Sequence, residues 1–162
     1  MVSINIIRLI IDNNTLADYA FYRLFINCQS LTTAPELPAT TLIDACYEYM
    51  FCHCTSLTTA PELHATTLAY GCYMGMFQNC TSLTHAPELP ATTLKTYCYG
   101  WMFDGCSNLN YTKAMFEDIS ADGCLAYWLN NVSQTGTFIK NKKATWNRKD
   151  ANIPTGWTVQ TA

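Results

Sequence analysis

Cys52-His53-Cys54 sets two thiols and an imidazole within three residues, the soft donors that zinc prefers. A second ligand pair at zinc spacing is missing, so the tripeptide predicts no metal site. Glu36, Glu62 and Glu88 recur at a fixed interval, and paired carboxylates are groups of acid–base catalysis. They stand beside prolines at one position of a recurring string, which predicts a solvated acidic edge. The chain has no phosphate-cradling glycine loop and no nucleophile elbow. Together these readings predict neither an enzyme nor a cofactor. Five of the nine basic residues fall between 140 and 149: Lys140, Lys142, Lys143, Arg148 and Lys149. Such a cluster suits phosphate or nucleic acid, with Trp146 as a stacking platform. It also suits an acidic protein surface, or simply a solvated loop. Residues 1–139 hold four basic and eleven acidic residues, a net of −7, against +4 for 140–162. That balance repels a polyanion and argues against nucleic acid. The remaining chemistry is non-covalent recognition, for which Tyr70, His85, Tyr97, Trp101 and Tyr111 are the candidates.

A repeat must position these side chains. SLTTAPEL begins at Ser30 and again at Ser56, and returns as SLTHAPEL at Ser82, each time 26 residues on. The string ATTL follows at Ala39, Ala65 and Ala91. Cys28, Cys54, Cys80 and Cys106 share one column of this frame; Cys46, Cys72, Cys98 and Cys124 share another. Residues 28–105 are three full units. Residues 2–27 read as a degenerate N-terminal capping unit and 106–131 as a degenerate last one, because end units of an array must meet water or a cap. Residues 132–162 break the period. Gly136, Pro154 and Gly156 punctuate them and Phe138, Trp146 and Trp157 anchor them, which predicts a C-terminal cap with one or two strands.

Each unit divides in two. Leu31–Leu37 and its equivalents are Thr-rich and apolar at intervals, which predicts a short strand ended by Pro35, Pro61 or Pro87. Leu42, Cys46, Tyr47, Met50 and Phe51 then fall at i, i+4, i+5, i+8 and i+9, the stripe of a helix capped at Thr40 or Thr41. One strand and one helix per 26 residues predict an α/β chain. It would wind as a right-handed solenoid with a parallel sheet of short strands, one helix per repeat and a C-terminal β cap.

The strings MFCHCTSL, MFQNCTSL and MFDGCSNL resemble bacterial leucine-rich repeats of the BspA type, whose helix ends in a Phe-x-x-Cys-like string before Ser-Leu. The likeness covers about residues 16–131. It implies a leucine-rich-repeat solenoid that binds a protein or a surface, and it implies no catalytic residues.

Eight of the nine cysteines occupy repeat columns beside Leu, Met and Phe. Free cysteine behaves as a small buried hydrophobe, and stacked side chains pointing one way are badly oriented for a disulfide. Reduced thiols are expected, and with them a reducing compartment. No membrane span is long enough. Arg8 interrupts the apolar start, so no signal peptide is expected there and a cytoplasmic setting follows. A removed leader would instead make the chain secreted or surface-bound.

Some columns vary while Leu, Ala, Pro and Thr stay fixed: Asp44, Tyr70 and Thr96; Tyr49, Gly75 and Trp101; Thr59, His85 and Tyr111. In an array, side chains not spent on stacking are free to meet a partner. The expectation is a non-enzymatic protein-binding module. The alternatives are a bacterial surface, adhesin or phage-structural fragment that recognises a protein or glycan, and a phage- or bacterium-encoded inhibitor of an intracellular defence or toxin protein.

Overall fold

In the computed structural model, which describes residues 16–162, proline shapes the first half of each unit. Pro35, Pro61 and Pro87 have no N–H to give, so a continuous ladder cannot form through them. Single parallel bridges form around them instead: Thr33 with Thr59, Leu37 with Leu63 and Thr41 with Thr67. Continuous strands appear only beyond the last of these prolines. They are β1 (Tyr111–Ala114), β2 (Gly136–Lys140) and β3 (Trp157–Thr161). All three are parallel, in the order β1-β2-β3. The preceding unit joins β1 through His85–Tyr111 and Leu89–Ala114. β2 and β3 both come from residues 132–162.

The second half of each unit corrects the expected helix. Among the described residues there is no helix and the only strands are β1 to β3. The expected α/β leucine-rich-repeat solenoid, with one helix per repeat, is therefore overturned. In its place each unit winds through successive four-residue turns. Even-numbered N–H groups bond three residues back in their own unit, as Glu48 to Ala45, Met50 to Tyr47 and Cys52 to Tyr49 (3.1–3.2 Å). Odd-numbered N–H groups bond across to the next unit, as Tyr47 to Cys72, Tyr49 to Met74 and Phe51 to Met76 (2.8–3.0 Å). Five such cross bonds form at each of four junctions, beginning at Tyr19, Ala45, Gly71 and Tyr97. A helix satisfies its backbone within itself, whereas these coils satisfy half of theirs only by stacking.

Every fourth residue pays for the turn with a left-handed backbone. The φ angles are 51°, 53° and 61° at Ala45, Tyr49 and His53, and 55°, 59° and 59° at Gly71, Gly75 and Asn79. The same positions recur at Tyr97, Trp101 and Gly105, and at Gly123, Tyr127 and Asn131. The last of the three columns reads Asn27, His53, Asn79, Gly105, Asn131, residue types that tolerate this region. Elsewhere a side chain there costs about 1–2 kcal/mol. Burial offsets that cost. Phe25, Phe51, Phe77 and Phe103 stack at 5.4–5.6 Å between centroids, and Phe21, Tyr47, Tyr73 and Tyr99 at 5.5–6.0 Å. Cys46, Cys72, Cys98 and Cys124 fill a buried column beside them. Each fully buried large apolar side chain contributes about 1.5–3 kcal/mol.

Three tryptophans lock the end of the stack. The indole N–H of Trp128 donates to the Ala151 carbonyl (2.7 Å), that of Trp146 to Phe116 (3.2 Å) and that of Trp157 to Ser133 (2.8 Å). Residues 2–15 of the expected N-terminal unit, and Arg8 with them, lie outside the described residues. No helix among the described residues is long and apolar enough to cross a membrane.

Candidate functional site

The left-handed positions point their side chains along the stack, and glycine decides where a ring can lie. A Cβ added at Gly75 would come within 2.2 Å of the Tyr49 ring, and one added at Gly123 within 2.2 Å of the Tyr97 ring. Each glycine thus makes room for the tyrosine of the unit before it. On this face Tyr97 stacks on Trp101 (6.0 Å, 20°) and Trp101 on Tyr127 (5.7 Å, 21°). Tyr70 meets Tyr97 edge-on at 6.1 Å. The four rings form one row across three units. Tyr70 is 46% and Tyr127 61% exposed, while Tyr97 and Trp101 are half-buried. Such ring pairs add about 0.5–1.5 kcal/mol beyond burial, so the row is held in place before any partner arrives.

The five residues predicted for recognition therefore separate. Tyr70, Tyr97 and Trp101 come together. His85 and Tyr111 lie on the strand half, bridged to each other with rings 5.3 Å apart. Tyr127 was missing from the prediction, although it occupies the column of Tyr49 and Trp101 one unit on. A smaller aromatic group lies near the other end. Arg23 rests its guanidinium over Tyr22 (4.8 Å) and Tyr49 (5.4 Å), and Tyr19 packs edge-on against Tyr22. Glu48, largely buried nearby, has its carboxyl pKa raised by burial, with Arg23 pulling the other way.

The basic cluster also divides. Lys140 sits over the Trp146 ring (5.1 Å) and donates to the Trp146 carbonyl (3.4 Å). Lys143 lies 3.9 Å from Glu117. Lys142 is exposed. Arg148 and Lys149 instead line a groove of about 1170 Å³ between the fifth coil and the 148–156 loop. Tyr127, Asn130, Asn131 and Gln134 form its other side, so the aromatic row runs into it. Trp146 is no stacking platform: it is buried, tilted against Phe116 at 5.1 Å.

Cys52, His53 and Cys54 point to different surroundings. The Cys52 thiol donates to Gln78 (3.7 Å) and that of Cys54 to the Phe25 carbonyl (3.1 Å), while His53 is exposed with its ring 3.4 Å from Asn79. No group of three metal-ligating side chains occurs among the described residues. All nine cysteines are unpaired, and only Cys28 is exposed. Burial pushes the Cys46 thiol up to about 11 and those of Cys98 and Cys106 up to about 12. These thiols act as packing and as weak donors, not as nucleophiles. Glu36, Glu62 and Glu88 stand exposed on the proline ridge. Glu88 pairs with Lys113 at 3.0 Å.

No family model, curated protein or solved structure matches the chain. The resemblance to BspA-type repeats rests on the quoted strings alone.

Proposed function

We propose that the chain is a non-enzymatic protein-binding module whose partner lies along Tyr70, Tyr97, Trp101 and Tyr127. The observation that carries this reading is the contiguity of the row. Four aromatic side chains, two of them exposed, are braced against one another on one face. Aromatic anchors that are already ordered lose little side-chain freedom on binding and dominate interface energetics. The nine unpaired thiols favour an intracellular setting, such as an inhibitor of a defence or toxin protein.

The test is affinity capture from a host lysate with the wild-type chain and with Trp101→Ala. One stoichiometric protein retained by the wild type and lost by the variant is the expected result, with the variant folded by circular dichroism. Retention by both would remove the row from recognition. Capture of envelope glycans alone would replace the protein partner with a surface role.

A further inference from the structure

At every junction the odd-numbered N–H groups of one coil meet carbonyls of the next. Tyr97, Tyr99, Trp101, Phe103 and Gly105 donate to Asp122, Cys124, Ala126, Trp128 and Asn130 at 2.7–3.1 Å. The fifth coil has no successor, because the chain leaves it for β2, β3 and the loop between them. The N–H groups of Gly123, Leu125, Tyr127, Leu129 and Asn131 consequently meet no acceptor among the described residues. This edge differs from that of a β-sheet, where donors and acceptors alternate. It offers donors alone. Gly123, Tyr127 and Asn131 are left-handed, and an N–H without an acceptor carries partial positive charge that attracts anionic acceptors.

The residues that carry these donors border two open clefts. Tyr127, Leu129 and Asn131 line the groove already described. Gly123 and Leu125 line a smaller cleft of about 210 Å³ that shares Ala126 and Asn152 with it. The ionisable groups of the larger groove, Tyr127 apart, are Arg148 and Lys149, and no carboxylate lines it. Asp150 borders the smaller cleft, where its carboxylate accepts from the Asn147 N–H (3.3 Å). Arg148 is aimed by donating from Nη1 to the carbonyls of Pro154 and Thr155.

We infer that this groove docks an extended acidic segment of the protein partner. Carboxylate oxygens of that segment, which accept and never donate, cap the N–H groups and pair with Arg148 and Lys149. The inference rests on the protein-binding reading above. A row of donors alone calls for a run of groups that only accept, which the ionised carboxylates of an acidic segment supply. A single phosphate satisfies one or two of them, and sugar hydroxyls arrive as donors as often as acceptors. A second copy meeting the first at this end would bring together two segments of net charge +4.

Amide hydrogen exchange on the full chain tests this. The probe is a peptide of roughly ten residues alternating Glu with Ala, long enough to follow the edge. In the free chain the five amides should exchange faster than their counterparts from Tyr97 to Gly105. The peptide should slow all five. Replacing its Glu by Gln, or changing Arg148 and Lys149 together to Gln, should weaken binding about tenfold. Equal protection of both coils in the free chain would overturn the inference. So would protection produced by inorganic phosphate or a uronate oligosaccharide but not by the peptide, or by raising the concentration of the chain alone. Failure of the peptide while Trp101-dependent capture persists would sink the groove and leave the proposed function standing. Protection by the peptide without any captured partner would do the reverse.

Discussion

Gly71→Ala gives opposite signs for a helix and for the coil found here. In a helix interior, alanine in place of glycine stabilises by about 0.8–1.0 kcal/mol. Gly71 instead has φ +55° and lies in the first left-handed column. A Cβ there costs about 1–2 kcal/mol, and the loss of unfolded-state freedom returns about 0.4–1. No collision adds to this, since the nearest atom to the new Cβ would be the Met74 Cβ at 3.9 Å. The net expectation is a destabilisation of about 0.5–1 kcal/mol. Gly75→Ala, at φ +59°, must also move the Tyr49 ring from 2.2 Å and should cost about 1 kcal/mol more. Urea unfolding followed by circular dichroism is the assay. With a slope near 2 kcal/mol per molar, Gly71→Ala should lower the midpoint by roughly 0.3–0.5 M at unchanged slope. A raised midpoint for Gly71→Ala would refute the stacked-turn backbone.

Phe77→Ala should cost about 3–5 kcal/mol, because its ring is fully buried between Phe51 and Phe103 at 5.6 Å on each side; urea unfolding measures the loss. Iodoacetamide at pH 8 should label Cys28 alone in the native chain, as mass spectrometry would show, since the other eight thiols are buried. Glu48→Gln should stabilise at neutral pH. The raised carboxyl pKa means that protonation favours the fold below the unfolded value, an advantage lost as pH rises through the folded one. The gain should therefore fade on acidification, read as melting temperature of both proteins across pH 4–8. Tyr127→Ala should weaken partner capture, whereas Tyr111→Ala, on the other half of the unit, should leave it unchanged.

The register of the stack was legible in the sequence. The strings 26 residues apart fix which residues superpose, and the columns of Leu, Cys, Tyr and Phe line the core. The backbone between those columns was misread. A stripe at i, i+4, i+5, i+8 and i+9 fits a helix, but Leu42, Cys46, Met50 and Cys54 keep a strict period of four, which a helix of 3.6 residues per turn does not. The signs against the helix lie in glycines and asparagines, of which only Gly75 stood in a column read as varying. Gly71, Gly75, Gly105 and Gly123, with Asn27, Asn79 and Asn131, fall in three columns four apart, and all have positive φ. Glycine and asparagine in that rhythm mark left-handed backbone. Tyr97, Trp101 and Tyr127 hide the pattern because they bear the same strain with bulky side chains. The aromatic row was half legible: its columns were identifiable, but which of them share a face depended on the turn geometry. The basic cluster was misleading for a similar reason. Spacing alone put Lys140 beside Arg148, while the fold gives Lys140 to Trp146 and Arg148 to the groove. The open donor edge had no local signal, since it arises from what the chain fails to place after its fifth coil.

The most direct measurement of the recognition face is oxidative footprinting of the chain free and bound to its captured partner, resolved residue by residue. Protection of Tyr70, Trp101 and Tyr127 on binding, with His85 and Tyr111 unchanged, is the predicted result. Protection confined to His85 and Tyr111, with the aromatic row as reactive as in the free chain, would contradict it.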